Sequence, residues 1–176
     1  GGIFGAIADY VLSQGGVVYG CAFDCNFKAK HIRIDNIKDL KIIYGSKYVQ
    51  SDINNSYAKV KDDLDKDRLV LFSGTPCQVA GLISFLGKTY DNLITIDIIC
   101  HGVPSQAIFD KYLKWLSKKE KNTISHFSFR SKNNKGWSLS GYYALGNAEN
   151  RIVKPLYYFD HYYYFYFLEG LIYRES

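Results

Sequence analysis

The alternation of apolar and polar residues predicts helices and strands that follow one another along the first two thirds of the chain. Residues 2–13 place apolar side chains at helical spacing, and "GGVVYGCAF" and "HIRI" then predict two short strands joined as a hairpin. After a polar amphipathic helix over "NNSYAKVKDDLDK", the apolar runs "RLVLFSG" and "LITIDIIC" predict two buried strands, each followed by a helix. Buried strands that alternate with helices pair in parallel, so this order predicts βαβ units around a parallel sheet.

The pattern changes after residue 122. The segments "TISHFSFRS", "WSLSGYYALG" and "RIVKPLYY" predict antiparallel strands, and residues 157–167 predict a C-terminal aromatic helix that packs against other elements. The sequence shows no internal repeat and no low-complexity linker. We therefore predict the α/β class: a parallel sheet core with an antiparallel strand extension, in a single domain over residues 1–176.

The amino-acid composition indicates a globular protein. Hydrophobic residues make up 47% and charged residues 22% of the 176 residues, which is typical of a globular protein large enough to bury a core. No apolar run approaches the roughly 20 residues of a membrane helix, so we predict no membrane span and a cytoplasmic location. The chain contains no Met and opens on "GGIFGAIADY", from which we expect a fragment of a longer protein.

The positive charge is modest and favours a small anionic cofactor over a nucleic-acid partner. The formal net charge is +5. One segment gathers five lysines, which we interpret as a solvated helix face because no nucleic-acid-binding motif accompanies them. These lysines are Lys111, Lys114, Lys118, Lys119 and Lys121.

Two strand-to-turn segments, "LFSGTPCQVAGLISFLG" and "ITIDIICHGVPS", each contain a cysteine where the strand ends. In parallel α/β sheets, ligands bind at the carboxyl ends of the strands. Thr75 suits the N-cap position and Pro76 the first helical position, so Cys77 is predicted in the first turn of a helix, where the helix dipole favours a thiolate. A thiolate can be a nucleophile or a ligand for a soft metal, and the residues around Cys77 leave both uses open.

Cys100 and His101 add a second sulfur and an imidazole at the same predicted edge. A zinc site is conceivable chemically, but the short C-x-x-C spacing typical of such sites is absent. We interpret Cys21 and Cys25, in "CAFDC", as structural.

The motifs "SGTPCQVAGL" and "ICHGVPS" resemble the coenzyme F420 hydrogenase/dehydrogenase beta-subunit family. The opening "GGIFGAIADYVLSQGGVVYGCAFD", "GSKYVQSD", "FRSKNNKGW" and the closing "FLEGLIYRES" fit the same family in the same order. The resemblance implies an oxidoreductase subunit that carries FAD and a [4Fe–4S] cluster. It implies electron transfer, through FAD, between the cluster and a hydride acceptor such as coenzyme F420. It also implies a redox partner protein, a ferredoxin-like segment upstream and further cysteines downstream.

The resemblance implies roles for particular residues. Cys77 and Cys100 would be two of the four cluster ligands. His101 is a candidate catalytic proton relay near the flavin, and the alternative is that it only hydrogen-bonds a backbone carbonyl. Lys47 would favour the anionic reduced flavin. The residues expected to contact the flavin are Gly1, Gly2, Ser46, Lys47, Tyr48, Gln50, Ser73, Gly74, Thr75 and Lys135, and Ser51 offers a further hydrogen bond beside Gln50.

Two other hypotheses compete with this one. In the first, Cys77 is the nucleophile of a thiolate enzyme, assisted by His101. In the second, the chain is a non-catalytic docking module of a redox complex.

Overall fold

The computed structural model of the chain describes residues 2–100, 102–133, 136–137, 140–147 and 149–172. The chain divides into two compact units. Unit 1 comprises Gly1–Tyr44 and Ser51–Cys100, and unit 2 comprises Gly45–Gln50 and His101–Ser176. The single domain predicted over residues 1–176 stays a prediction, because this division concerns contacts within the chain and not independent folding.

Unit 1 is an open sheet with helices on both faces. Its elements are α1 (Gly2–Ser13), β1 (Val17–Phe23), β2 (Ala29–Ile34), a 3₁₀ helix (Ile37–Ile43), α2 (Ser56–Leu64), β3 (Val70–Gly74), α3 (Pro76–Leu86) and β4 (Leu93–Asp97). The strand order is β2-β1-β3-β4, antiparallel between β1 and β2 and parallel elsewhere. The predicted hairpin and parallel sheet are therefore confirmed.

Alternate residues of β1 and β3 face opposite sides of this sheet. Tyr19 and Phe72 pack with α2 and α3 on one side, whereas Val18 and Leu71 pack with α1 and the 3₁₀ helix on the other. All four side chains are fully buried. Burial on both faces explains why these strands appear in the sequence as continuous apolar runs.

The prediction of a second buried strand over residues 93–100 is wrong in two respects. β4 ends at Asp97, and its residues are only partly buried or exposed. The reason is its position at the edge of the sheet, where β3 is its one neighbouring strand. Ile98 and Ile99, which follow β4, are exposed.

Unit 2 is built on antiparallel strands. Its elements are α4 (Gln106–Glu120), β5 (Ile124–Ser128), β6 (Lys132–Asn133), β7 (Gly136–Trp137), β8 (Gly141–Leu145), β9 (Ile152–Leu156), a second 3₁₀ helix (Tyr158–Asp160) and α5 (Tyr162–Leu168). β5, β8 and β9 form an antiparallel sheet in that order, and β6 pairs with β7. The antiparallel extension and the C-terminal aromatic helix are confirmed.

The aromatic helix is shorter than predicted over residues 157–167. His161 has an extended backbone, and its carbonyl accepts the N–H groups of Tyr164 and Phe165, both at 3.0 Å. The His161 side chain is buried, with Nδ1 2.7 Å from the Tyr112 hydroxyl. α5 therefore begins after this anchored residue. Of the helices described, none combines the length and apolarity needed to cross a bilayer.

Candidate functional site

The carboxyl ends of β3 and β4 lie side by side in unit 1. Gly74, the last residue of β3, pairs with Asp97, the last residue of β4. The N–H of Ile98 donates to the Gly74 carbonyl at 3.0 Å and so extends this pairing by one step. Cys77 lies three residues after Gly74, and Cys100 lies three residues after Asp97. Each cysteine therefore lies three residues after the carboxyl end of its strand, and the two strands are neighbours in the sheet.

Cys77 occupies the first turn of α3, as predicted. Thr75 is the N-cap residue and Pro76 is the first helical residue. The Cys77 side chain is exposed, and its Sγ lies 3.1 Å from Thr75 Oγ1. The N–H groups of Gln78 and Val79 donate to the Thr75 carbonyl at 2.9 and 3.0 Å. An accessible thiol at a helix start can serve as a metal ligand or a nucleophile.

Cys100 is half-buried and follows the exposed Ile99. The four cysteines of the chain, all within the described residues, are not joined by disulfides. No group of three or more His, Cys, Asp or Glu side chains that could hold a metal ion occurs within the described ranges. His101, Gly1 and Lys135 lie outside the described residues, so the roles predicted for them stay predictions.

The candidate flavin residues of unit 1 have different surroundings. The backbone of Ser73 and Thr75 bonds to other side chains, as described below, and Thr75 is buried. A Cβ on Gly74 would lie 3.0 Å from Gln78 Oε1, so the packing of Gln78 leaves little room for a side chain there. Gly2 is exposed at the start of α1, with open space where a Cβ would point.

The other candidate flavin residues form one short segment of unit 2. Ser46 and Gln50 are exposed, whereas Lys47 and Tyr48 are partly buried. The Gln50 N–H donates to the Pro104 carbonyl at 2.9 Å, which ties the segment to the start of α4. The segment therefore presents a hydroxyl, an amide and a lysine close together along the chain.

The Tyr48 ring is part of the aromatic packing of unit 2. It stacks on Phe167 at a centroid distance of 4.4 Å, and its hydroxyl accepts a hydrogen bond from Arg130 Nε at 2.7 Å. Its carbonyl accepts the Tyr163 hydroxyl at 2.6 Å. Stacking of Tyr48 on a flavin stays a prediction, and the structure gives its ring a partner within the protein.

Three polar residues surround the Cys77 turn, and two of them, His31 and Gln78, were not among the predicted site residues. His31 Nε2 lies 3.0 Å from the Ser73 carbonyl oxygen, Ser51 Oγ lies 3.0 Å from His31 Nδ1, and Gln78 Nε2 donates to Ser51 Oγ at 2.9 Å. Burial lowers the pKa of His31, and the bond to the Ser73 carbonyl only partly opposes this. The spacing T-x-x-Q could have indicated the role of Gln78 as a helix cap. His31 gave no such signal, because its contacts depend on strand pairing.

Comparison with known proteins bears on the same region. Residues 67–152 match the family model for the C terminus of the beta subunit of coenzyme F420 hydrogenase/dehydrogenase. The family resemblance is confirmed. The matched residues of this chain include Cys77 and Cys100. Gly2 and the segment 46–50 lie outside the matched region. The family description names a subunit of redox enzymes.

A solved structure shares the fold. One chain of the xenon-derivatized F420-reducing [NiFe] hydrogenase complex from Methanosarcina barkeri aligns with a TM-score of 0.51 and 16% sequence identity. The alignment covers 89% of this chain and 54% of that chain, so the present chain spans about half of its length. No curated protein matches the chain.

Proposed function

We propose that this chain is part of an oxidoreductase subunit in which Cys77 and Cys100 ligate a [4Fe–4S] cluster. The observation that carries the proposal is the pairing of Gly74 with Asp97, after which both cysteines follow at the same offset. Such a cluster takes four thiolates, commonly supplied from separate turns. Cys77 and Cys100, which follow neighbouring strands, would supply two of the four thiolates. We propose that the other two ligands come from outside this chain.

The surroundings of the two sulfurs are compatible with this role. Cys77 is exposed in the first turn of α3, so its sulfur is accessible to an iron atom. Cys100 follows β4, which pairs with β3 alone among the described strands. The family match over residues 67–152 spans both cysteines and adds support.

We further propose FAD as the second cofactor, held in part by the segment of Ser46, Lys47 and Gln50. The exposed hydroxyl and amide offer hydrogen bonds, and the Lys47 ammonium offers a cation to a phosphate or to the reduced ring. The open position at Gly2 would allow the backbone to approach a phosphate. Tyr48 then supports the segment through its packing on Phe167.

In this role the chain links one-electron and two-electron chemistry. Bound FAD would supply two-electron chemistry, and the cluster would supply one-electron chemistry. Cys77 and Cys100 would hold the iron at the carboxyl ends of β3 and β4, and Lys47 would stabilise negative charge on the flavin. We propose a small hydride acceptor or donor such as coenzyme F420, a redox partner protein and a cytoplasmic location. His101 as proton relay, and Gly1 and Lys135 as flavin contacts, belong to the same proposal.

The test is the iron and flavin content of the complete protein purified without oxygen. We expect Cys77→Ser and Cys100→Ser each to lower iron and acid-labile sulfide from about four per cluster to below about one. Cys25→Ser is the matched control, because Cys25 is also exposed and follows β1, which runs parallel to β3, and it is interpreted above as structural. Lys47→Ala should weaken FAD binding roughly tenfold, and the exposed Lys41→Ala should not.

Native iron content in Cys77→Ser and in Cys100→Ser would exclude the cluster assignment. The accessibility of Cys77 favours the alternative in that case: a thiolate enzyme using Cys77 and His101. Rapid alkylation of Cys77 with loss of activity, in protein that never binds iron or flavin, would support that alternative. Binding to a partner protein with no cofactor uptake would instead support the docking-module hypothesis.

A further inference from the structure

The turn between β3 and α3 is held on its β3 side by a buried histidine. His31, on β2, lies with Nε2 3.0 Å from the Ser73 carbonyl oxygen. A carbonyl only accepts, so Nε2 carries the proton and the neutral ring accepts at Nδ1. Ser51 Oγ lies 3.0 Å from Nδ1, which makes the Ser51 hydroxyl the donor in that bond.

The same turn is held on its α3 side by a glutamine. Gln78 Oε1 accepts the Thr75 N–H at 3.0 Å, and this fixes which end of the side-chain amide faces the turn. Gln78 Nε2 therefore points the other way and donates to Ser51 Oγ at 2.9 Å. Ser51 accepts from Gln78 and donates to His31, so every donor in this chain of bonds has an acceptor.

We infer that His31, Ser51 and Gln78 form a clamp that closes over residues 73–75 and positions Cys77. The three side chains join the Ser73 carbonyl to the Thr75 N–H, one on each side of Gly74. Cys77 follows Thr75 by two residues, and its Sγ lies 3.1 Å from Thr75 Oγ1. The clamp serves a cluster only if Cys77 is the ligand proposed above. In that setting the three residues are positioning residues, which act on iron through Cys77.

Two further features fit a clamp rather than a chance set of contacts. The absence of a side chain at Gly74 lets Gln78 lie across the turn, because a Cβ there would meet Gln78 Oε1 at 3.0 Å and Gln78 Cβ at 3.1 Å. The Gln78 carbonyl also accepts the Tyr57 hydroxyl at 2.7 Å, which anchors the first turn of α3 to α2.

Ser51 lies close to His31 because the next residue, Asp52, pairs with β2. The His31 N–H donates to the Asp52 carbonyl, and the Asp52 N–H donates to the Ala29 carbonyl, both at 2.9 Å. This short parallel bridge fixes the backbone next to Ser51. Residues 29–31, 51–52 and 73–78 are thereby joined although they are far apart along the chain.

The test compares Ser51→Ala, which removes the central hydroxyl, with Ser51→Thr, which keeps it. In the complete protein we expect Ser51→Ala to speed hydrogen exchange of the Thr75 amide about fivefold or more, and to shift the ¹⁵N resonance of His31 Nδ1. Iron loss to a chelator should also become severalfold faster. Ser51→Thr should restore all three signals. Ser84→Ala, at an exposed position on α3, should change none of them.

The clamp is refuted if Ser51→Ala leaves the Thr75 exchange rate and the His31 signal as in the native protein. Its positioning role is refuted if both signals change but iron is lost no faster. Exchange of amides in β1 serves as the reference for general loss of stability, and a uniform rise there together with Thr75 would also count against a local clamp. If Cys77→Ser keeps its full iron content, the proposed function fails, and the exchange and resonance signals still decide whether the clamp exists.

Discussion

Units 1 and 2 use the same kinds of polar and aromatic side chains for different purposes. In unit 1 the sheet separates two apolar layers, and polar groups gather where β3 ends. In unit 2, aromatic rings fill the interior: Phe109 lies 5.2 Å from the Tyr163 ring and 5.4 Å from the Phe129 ring. Residue type alone therefore does not identify a site in this protein, and the backbone that presents the residue matters more.

One tyrosine from each unit illustrates this point: Tyr48 in unit 2 and Tyr19 in unit 1. Tyr48 is a predicted flavin contact, and in the structure its ring stacks on Phe167. Tyr19 lies fully buried in β1, where its hydroxyl donates to Asp63 Oδ2 at 2.6 Å. Burial and the Asp63 carboxylate both raise the pKa of Tyr19. Both tyrosines support structure, and Tyr48 does so within the segment proposed to contact the flavin.

Truncation of a ring in the aromatic interior of unit 2 should cause the largest loss of unfolding free energy. Phe109→Ala removes a fully buried ring that lies among several others, so we expect a loss of about 3–5 kcal/mol in unfolding free energy. Denaturant titration, with amide exchange in β5 and β8 as the probe of unit 2, measures this loss. Phe159→Ala is the control: this side chain is 82% exposed, and a change of at most about 0.5 kcal/mol is expected. Similar losses in the two variants would mean that the rings do not stabilise unit 2.

Removal of the ion pair between Arg33 and Asp63 should cause the second-largest loss of unfolding free energy, and this loss concerns unit 1. Arg33 Nε and Nη2 donate to the two Asp63 oxygens at 2.7 and 3.1 Å, and the Asp63 side chain is nearly buried. Asp63→Ala leaves Arg33 and Tyr19 without this acceptor, and we expect a loss of about 2–3 kcal/mol, since Arg33 keeps partial contact with water. Exchange of β1 amides measures it.

The matched control for this pair is Asp35→Ala. Asp35 also binds Arg33, at 2.6 Å, but its side chain is mostly exposed. We expect a loss below about 1 kcal/mol. An Asp35→Ala loss as large as that of Asp63→Ala would show that burial does not distinguish the two carboxylates.

The smallest predicted effect is the pH dependence of unit 2. Burial, together with the positive charge of Lys119, lowers the pKa of His161 to about 4. Because the folded state favours the neutral ring, the contribution of His161 is complete above the ordinary pKa of about 6.5 and is lost as the pH falls toward 4. We expect a loss of about 1–2 kcal/mol between pH 7 and pH 5, measured by denaturant titration at each pH.

His161→Gln should flatten this pH dependence. His126→Gln should change it less, because His126 is only partly buried, although burial also lowers its pKa. An unchanged slope in His161→Gln would assign the acid sensitivity of unit 2 to other groups.

Local signals in the sequence identified much of the fold and part of the site. The T-P-C-Q run indicated that α3 begins after Thr75, because capping depends on backbone and side-chain atoms only three residues apart. The helical period of α4 and the apolar run of β3 were equally local. The order of β3 and β4 followed from the strand–helix–strand pattern, and with it the adjacency of the two cysteine-containing turns.

The features that the sequence alone could not predict depend on contacts between distant segments. The partly exposed state of β4 follows from its edge position, which the composition of an isoleucine-rich run does not reveal. The start of α5 follows from the anchoring of His161 on Tyr112, which is 49 residues away along the chain.

By itself, the sequence determined the type and order of most regular elements, which residue starts α3 and which two strands are followed by cysteines. These properties depend on atoms within a few residues of one another, or on the strong preference of parallel strands for helical connections. Only the tertiary structure decided which polar groups hold the Cys77 turn and which aromatic rings are already occupied. Those outcomes require His31, Ser51 and Gln78, or Tyr48 and Phe167, to be brought together by the closure of long chain segments.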